Sequence, residues 1–285
     1  MNKIVLCPNL DRDRGLELTS KVYDMLRREG ESVAVCPLGN NVSEKLPLGD
    51  MRFEDLKEAL SCAKMVIVFG GDGTILQVAK IAAEDRVPIL GVNLGKKGFM
   101  AELERDDIDL ILKAIKSGYT KERRMMLDIE VVRGGKTIFS DFVLNDVVVG
   151  GVTRIIDVTV CGDGKKITSF SGDGVIIATP TGSTAYSLSA GGPIVEPETQ
   201  AIVVTPICAH VLIARAYVLA PERTVEVTIG RLGKKKAYIS ADGGDTIILK
   251  SGDVIRVRRS AYKTHLVRIA GTSFYELVSR KLGDC

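Results

Sequence analysis

Apolar and polar residues alternate along the first third of the chain with two different periods. Short β-branched runs, such as KIVLCPN and MVIVF, indicate strands, and between them apolar residues recur at helical spacing. Leu18 and Val22, for example, fall on one face of a segment that ends at Gly30. Strands separated by helices predict a parallel, doubly wound sheet, and the last helix of this region should end at Gly118.

After about Tyr119 the pattern changes to strands joined by glycine-containing turns. This texture predicts a mainly β region, built as a sandwich or layered sheet. The tail GTSFYELVSRKL returns to helical spacing. We therefore expect an α/β domain over residues 1–118, with the segment 271–285 packed back on it. A second, mainly β domain should span residues 119–270.

Composition narrows the classes of partner. Lys and Arg number 39 and Asp and Glu 36, so no charge excess favours nucleic acid or an acidic membrane. The start of the chain lacks the apolar core of a signal peptide, and no apolar run approaches the ~20 residues of a membrane span. We expect a cytoplasmic protein without nucleic-acid or membrane partners. With two histidines, a multi-histidine metal centre is excluded, so any metal would be a hard cation on oxygen ligands.

The stretch VIVFGGDGTIL is the first candidate site. Gly70, Gly71 and Gly73 follow a predicted strand and precede a predicted helix, which is where open α/β sheets bind ligands. The spacing matches neither the P-loop nor the dinucleotide-binding fingerprint. It leaves two interpretations open: a tight turn with Asp72 or Thr74 as helix N-cap, or a phosphate site. In the second, Asp72 could accept a proton from an attacking hydroxyl.

Residues 171–195 form the strongest further candidate. This segment is rich in Gly, Ser and Thr and contains one aromatic residue, Tyr186. A small-residue loop of this length inside a compact domain is usually functional. Hydroxyl and backbone groups beside one ring suit a nucleotide, because they offer hydrogen bonds to the base and sugar and a stacking face.

Three shorter motifs are ambiguous when each is taken alone. The pair Asn145-Asp146 in LNDVVVG is explained by ordinary turn chemistry. Asp242, in the motif SADGGD, also favours a hairpin turn unless the site lies nearby. Lys96-Lys97 occupies the βα loop after the next strand, where the pair could bind phosphate or simply face solvent.

Taken together, these motifs resemble the NAD kinase family. GGDGT is shared with diacylglycerol-type lipid kinases and nearly with phosphofructokinases, so by itself it indicates only a kinase superfamily. TPTGSTAYSLSAGGPIV is similar to the family's NAD-binding motif almost letter for letter. LNDVVV and GVNLGKKGF fall in the expected order around it, and the resemblance covers essentially the whole chain.

The resemblance implies a transferase that moves a phosphoryl group from ATP, or in some members from polyphosphate, to the 2′-hydroxyl of the adenosine ribose of NAD. The product is NADP. Magnesium or manganese would bridge the donor phosphates, and the ligands of that metal are not identified. The family generally assembles as homodimers or homotetramers. The donor, the choice between NAD and NADH and any feedback by NADP stay open.

The resemblance also implies roles for individual residues. Asp72 would be the general base on the 2′-hydroxyl, and Gly71, Gly73 and Thr74 would lie against phosphates. Asn145 and Asp146 would hold the adenine and its ribose. The remaining implied NAD contacts are Asp72, Gly73, Phe99, Arg154, Ser171, Asp173, Thr181, Thr184, Ala185, Tyr186, Ser187, Leu188 and Ser189.

Three positions depart from the family's pattern. Asp146 stands where Glu is usual, and is one methylene shorter. Ser171 replaces a commonly basic residue, and Gly244 replaces a usual glutamine. Two alternative functions therefore stay open beside the NAD kinase prediction. One is a lipid kinase with the same Gly-Asp-Gly loop, and the other is an NAD-binding sensor that no longer catalyses phosphoryl transfer. Intact Asp72 and the absence of a basic amphipathic segment speak against them.

Overall fold

The computed structural model describes residues 3–38, 51–95, 98–210, 215–269, 271 and 273–283. The chain divides into two compact units. The α/β unit comprises Met1–Arg123 and Thr264–Cys285, and the β unit comprises Arg124–Lys263. The sequence placed its boundaries at 118/119 and 270/271. No helix among the described residues is long and apolar enough to cross a membrane.

The strands are named in chain order. They are β1 (Lys3–Pro8), β2 (Val33–Val35), β3 (Ala63–Gly70), β4 (Ile89–Asn93), β5 (Leu103–Glu104), β6 (Thr120–Arg133), β7 (Lys136–Val143), β8 (Asp146–Gly151), β9 (Ile156–Gly162), β10 (Lys165–Gly172), β11 (Gly174–Ala178), β12 (Ile202–Ile207), β13 (Tyr217–Leu219), β14 (Val225–Ile229), β15 (Ala237–Ala241), β16 (Ile247–Leu249) and β17 (Val254–Arg268). The helices are α1 (Glu17–Arg28), α2 (Leu56–Leu60), α3 (Asp72–Glu84), α4 (Asp109–Ser117), α5 (Tyr186–Ser189) and α6 (Phe274–Leu282).

The α/β unit is built on a parallel sheet with the order β2-β1-β3-β4. Its strands are almost wholly apolar because helices cover a parallel sheet on both faces. Buried Asp13 stabilises the first turn of α1, because its carboxylate accepts hydrogen bonds from the Leu18 and Thr19 backbone N–H groups. The predicted doubly wound sheet is confirmed. Its strand order reverses between β1 and β3, so their carboxyl ends flank the crevice where such sheets bind ligands.

The β unit contains two antiparallel layers. One sheet has the order β13-β12-β11-β8-β15-β16, and the other pairs β10, β9, β14 and β17 in that order, with β6 and β7 attached to β17. Alternate residues of strands from both layers enter one core, including Val149 and Ile177 from the first and Val158 and Val227 from the second. This alternation is typical of a sandwich, and the prediction of a mainly β second domain is confirmed.

Candidate functional site

The Gly-rich loop joins β3 to α3 at the ligand-binding edge of the α/β unit. Gly71 is the N-cap residue and Asp72 is the first residue of the helix, so the interpretation of Asp72 or Thr74 as N-cap is wrong. A Cβ atom added at Gly71 or Gly73 would meet nothing within 4 Å. The start of this 13-residue helix therefore has open space beside its glycines, and the N-terminus of a helix favours an anion.

Gly70 has a different role, because it makes room for a neighbour. A Cβ atom there would lie 2.3 Å from Thr74 Oγ1. Thr74 is buried, and its hydroxyl accepts a hydrogen bond from Asn9 Nδ2 at 3.1 Å. Asn9 directly follows β1, so this bond joins the two strand ends at the crevice. Asn9 was not among the residues predicted from the sequence, although its position just after a strand is a signal for this edge of the sheet.

The Asp72 side chain turns toward the loop that follows β4. Its Oδ2 accepts a hydrogen bond from the Phe99 backbone N–H at 2.8 Å, and its Oδ1 accepts one from the Met100 N–H at 3.2 Å. Phe99, a predicted NAD contact, is half-buried beside it. The carboxylate is thus held on both oxygens at the start of α3. The predicted pair Lys96-Lys97 lies outside the described residues.

In the β unit, Asp242 closes around the motif that starts β8. Its carboxylate accepts hydrogen bonds from three successive backbone N–H groups, those of Leu144, Asn145 and Asp146, at 2.8 to 3.1 Å. The Asp242 N–H in turn donates to the Asp146 carbonyl at 2.9 Å. The motifs at Asn145-Asp146 and at Asp242, each of which alone predicted a simple turn, therefore form one structure. In it the turn at Asp242 holds the turn at Asn145 and Asp146.

Asp146 lies inside this structure, and the residue is only 5% exposed. Burial, and secondarily the negative charge of Asp242, raise the pKa of Asp146 to about 7. The side-chain Oδ1 of neighbouring Asn145 is also buried, and no residue that the structure describes donates a hydrogen bond to it. Buried acceptors are normally satisfied, so this oxygen suits a donor from a ligand.

The segment 171–195 packs against the same turn. Thr179 donates from its N–H to the Asn145 carbonyl and from its hydroxyl to the Leu144 carbonyl. Gly182 is in such close contact that a Cβ atom there would lie 2.1 Å from the Asn145 carbonyl oxygen. The expected loop contains a 3-10 turn over Thr181–Thr184 and then α5. Position 182 thus requires glycine, because the Asn145 backbone comes too close for any side chain.

The predicted NAD contacts in this segment differ in exposure. Tyr186 is 46% exposed, and Ser189 is also exposed, while Thr184, Ala185 and Leu188 are half-buried. Thr181 and Ser187 are buried and use their hydroxyls internally: Arg124 donates to Thr181 Oγ1, and Ser187 pairs with Thr205. These last two are placed to support the segment.

Tyr186 lies among several groups of the β unit. Burial of part of its ring is the largest influence that raises the pKa of its hydroxyl. The other contributors are Tyr238, Cys208, Asp173 and Asp146. Asp173 and Asp146 are predicted NAD contacts, so the structure brings both acids near the one aromatic residue of the motif.

Ser171 and Arg154 are also predicted NAD contacts. The Ser171 hydroxyl donates to Asp157 Oδ1, and Lys235 Nζ lies 3.5 Å from Asp157 Oδ2. The Ser171 hydrogen bond, with the charge of Lys235, lowers the pKa of Asp157. A lysine from another strand connection therefore stands near the position where a basic residue is usual. Arg154 is exposed in the turn after β8.

The described part of the chain offers no preformed metal cluster. Within it, no group of three or more His, Cys, Asp or Glu side chains could hold an ion. Mg²⁺ commonly takes one or two carboxylates and completes its shell with substrate phosphates and water. A cation carried on the phosphates of a nucleotide would need no such cluster of protein ligands.

Comparison with family models and known proteins gives one consistent result. Residues 9–119 match the model of the ATP-NAD kinase N-terminal domain, and residues 144–269 match that of the C-terminal domain. An NAD kinase of Acetivibrio thermocellus is 37% identical over 292 residues, covering 100% of this chain and 98% of the relative. An NAD kinase of Geobacter metallireducens is 43% identical over 230 residues, covering 79% and 81%.

Two solved structures share the fold. Yeast NADH kinase in complex with NADH superposes with a TM-score of 0.86 at 24% identity, covering 99% of this chain and 88% of that one. An NAD kinase from Archaeoglobus fulgidus in complex with ATP gives a TM-score of 0.74 at 22% identity and covers 99% of both chains. The fold prediction is thus confirmed by neighbours as well as by topology.

Proposed function

The chain belongs to the ATP-NAD kinase family, and from this premise we propose which of its residues carry the reaction. It is a phosphotransferase that binds ATP and NAD and phosphorylates NAD. The hydroxyl that distinguishes NADP from NAD is the 2′-hydroxyl of the adenosine ribose, so that oxygen is the nucleophile. In-line transfer to it needs positioning, charge neutralisation and a proton acceptor.

Asp72 is the proposed proton acceptor. Its carboxylate is oriented by two backbone N–H groups at the start of α3, in a loop whose glycines leave open space. Gly71 and Gly73 bind phosphate through their backbone in this proposal. Thr74 is buried, so its contribution is to hold the loop through Asn9, with its remaining hydrogen-bonding capacity directed at phosphate.

Recognition of the adenosine is assigned to the turn at Asn145 and Asp146. The observation that supports this most directly is the buried Asn145 Oδ1, which lacks a donor among the described residues. The exocyclic amino group of adenine is a donor of the required kind. Asp146 then accepts from the ribose hydroxyls in its ionised form.

The remaining predicted contacts keep their NAD-binding assignment. Tyr186 supplies the stacking face, and the exposed or half-buried residues around it line the pocket. Thr181 and Ser187 act through the backbone that they hold. The members of this set are Phe99, Arg154, Ser171, Asp173, Thr181, Thr184, Ala185, Tyr186, Ser187, Leu188 and Ser189.

A divalent cation, Mg²⁺ or Mn²⁺, completes the proposal. Bound on the donor phosphates, it would neutralise charge that develops during transfer. We assign it no full protein ligand set, in line with the scattered acids of the described residues. The unit Arg124–Lys263 is proposed as the NAD-binding domain, assembly as a homodimer or homotetramer, and the location as cytoplasmic.

The test is a product assay combined with a change of base. The protein is incubated with ATP, Mg²⁺ and NAD, and NADP is detected with an NADP-specific dehydrogenase. Nicotinamide hypoxanthine dinucleotide, which carries a carbonyl in place of the adenine amino group, should be used about tenfold or more less efficiently, because the buried Asn145 acceptor then meets no donor.

The variant Asn145→Ala should lose this preference while still accepting both dinucleotides weakly. ATP affinity, measured by calorimetry, serves as the control and should stay unchanged. Binding of NAD without formation of NADP would contradict the proposed transfer. An unchanged preference in Asn145→Ala would contradict the adenine assignment alone.

A further inference from the structure

Gly98 lies directly against the Asp72 carboxylate. A Cβ atom built on Gly98 would be 3.0 Å from Asp72 Oδ1 and 3.7 Å from Asp72 Cγ. That first distance is shorter than ordinary van der Waals contact, so a side chain would require the carboxylate to move. The backbone of Gly98 is not in the left-handed region that favours glycine. The need for glycine at this position is therefore one of space.

The two residues after Gly98 hold the same carboxylate. The N–H groups of Phe99 and Met100 donate one hydrogen bond to each oxygen of Asp72. A carboxylate held on both oxygens has a fixed plane, whereas one held on a single oxygen can rotate about its Cβ–Cγ bond. The contact with Gly98 and the two hydrogen bonds thus set both the position and the plane of the acid.

The start of the loop that leads to these groups is anchored at Gly95. Buried Asn93, the last residue of β4, accepts a hydrogen bond on Oδ1 from the Gly95 N–H at 3.0 Å. Its Nδ2 donates to Glu104 Oε2 at 2.8 Å. The side chain of Asn93 therefore fixes the start of the loop to β5 beside it. An anchored loop can orient a side chain, and a free one could not.

We propose that Gly98 is a positioning residue for phosphoryl transfer, which lets the Phe99 and Met100 N–H groups fix the Asp72 carboxylate in the orientation that receives the proton. This inference rests on the proposed role of Asp72 as general base. It assigns a function in turnover to Gly98, the last of the three glycines in GVNLGKKGF. Most of the proposed NAD contacts lie in the β unit, so substrate affinity should depend on Gly98 only weakly.

The expected consequence of a methyl group at Gly98 follows from the geometry. In Gly98→Ala the carboxylate must shift by a few tenths of an ångström, because the added methyl group would lie only 3.0 Å from Asp72 Oδ1. A misplaced base lowers kcat by about tenfold, while KM for NAD and for ATP stays within about twofold.

Gly95→Ala is the matched control. It lies in the same loop, its backbone is also outside the left-handed region, and a Cβ atom there meets Asn93 Oδ1 at 3.5 Å, an ordinary contact. The variant adds the same methyl group and removes the same backbone freedom. Its kcat should equal that of the unmodified protein. An equal loss of kcat in both variants would overturn the proposal.

The second comparison places Gly98→Ala in the Asp72→Asn background. If Gly98 acts through the carboxylate, the added methyl group should lower the residual turnover by less than about twofold. A full tenfold loss in this background would assign the effect to something other than Asp72 and reject the inference. Full activity of Asp72→Asn itself would instead reject the proposed base, so the two failures are distinguishable.

Asn93→Ala covers the case in which Gly98→Ala does not fold, which thermal unfolding would reveal. It frees the Gly95 N–H and loosens the loop without adding atoms. The proposal predicts a lower kcat that again disappears in the Asp72→Asn background. A loss of kcat that persists there would count against it.

Discussion

Acidic residues in the two units hold backbone N–H groups in the same way but serve opposite purposes. Asp72 accepts from two successive N–H groups, those of Phe99 and Met100, and Asp242 accepts from three, those of Leu144 to Asp146. In the α/β unit an anchored loop holds the acid in place. In the β unit the acid holds the loop in place. The same hydrogen-bond pattern therefore does not indicate the same function.

The surroundings of each acid explain the difference. Asp72 begins a long helix, next to glycines with open space beside them, so a substrate can approach it. Asp242 lies in a hairpin turn between β15 and β16 with a positive φ of 49°, and its carboxylate accepts hydrogen bonds from three backbone N–H groups. Substitution should therefore affect turnover at Asp72 and folding at Asp242.

The largest expected effect is the loss of turnover in Asp72→Asn. Asparagine keeps the shape and one acceptor oxygen but cannot take up the proton, and general-base catalysis typically contributes ~10²–10⁴-fold. We expect kcat to fall by about that factor, with a stability loss of only about 1 kcal/mol from the weakened hydrogen bond. Steady-state kinetics and urea unfolding measure the two quantities.

Asp85→Asn is the control for this prediction. Asp85 is an exposed acid at the other end of the same helix, where it is the C-cap residue. Its replacement should leave kcat unchanged. Turnover of Asp72→Asn near that of the control would contradict the base assignment and, with it, the contrast between the two units.

The second expected effect is the loss of stability in Asp242→Ala. Three backbone N–H groups would lose a charged acceptor, which we estimate to cost about 3 kcal/mol in the free energy of unfolding. NAD affinity should fall with it, because the turn at Asn145 and Asp146 loses its clamp. Urea unfolding and calorimetry with NAD check both parts.

Asp245→Ala is the matched control in the same hairpin. Asp245 is exposed, and exposed substitutions of this kind usually change stability by less than about 0.5 kcal/mol. If the two variants unfold at the same urea concentration, Asp242 does not hold the turn. The difference in role between Asp242 and Asp72 would then not hold.

Features that depend on local sequence could be predicted, and the contact between distant residues in the β unit could not. The periods of two and 3.6 residues are local, so the parallel sheet and the sandwich followed from them. The loop could also be predicted from local sequence, because Gly70, Gly71 and Gly73 lie together between a strand pattern and a helix pattern. The clamp on Asn145 could not be predicted in this way, because its acceptor, Asp242, lies 97 residues further along the chain.

Two local expectations changed for physical reasons. The N-cap residue of α3 is Gly71. The Asp72 carboxylate does not cap its own helix, because it accepts hydrogen bonds from the loop after β4, which lies 27 residues further along the chain. The segment after Pro180 is turn-rich in composition, yet it winds into helical turns. There Ser183 Oγ donates to the Pro180 carbonyl and Thr184 Oγ1 to the Thr181 carbonyl. Short hydroxyl side chains bond their own backbone and so stabilise these turns.

The last expected effect is a pH dependence of stability that belongs to the β unit. An unfolded aspartate loses its proton near pH 3.8, whereas burial, with Asp242, raises the pKa of Asp146 to about 7. Between these values the folded state binds more protons than the unfolded state. The free energy of unfolding therefore falls as pH rises through this window, by at most about 1.4 kcal/mol per pH unit, and the contribution is constant above pH 7.

Asp146→Asn cannot ionise, so its stability relative to the unmodified protein should increase from pH 4 to pH 7 and then level off, while NAD binding weakens. Urea unfolding of both proteins at pH 5, 6, 7 and 8 measures the difference, with Asp245→Asn as the control that should show none. A difference that is flat across this range would mean that Asp146 is ionised throughout it. The folded β unit would then bind no extra proton at Asp146, and the pH dependence of stability would not distinguish this buried acid from the exposed Asp245.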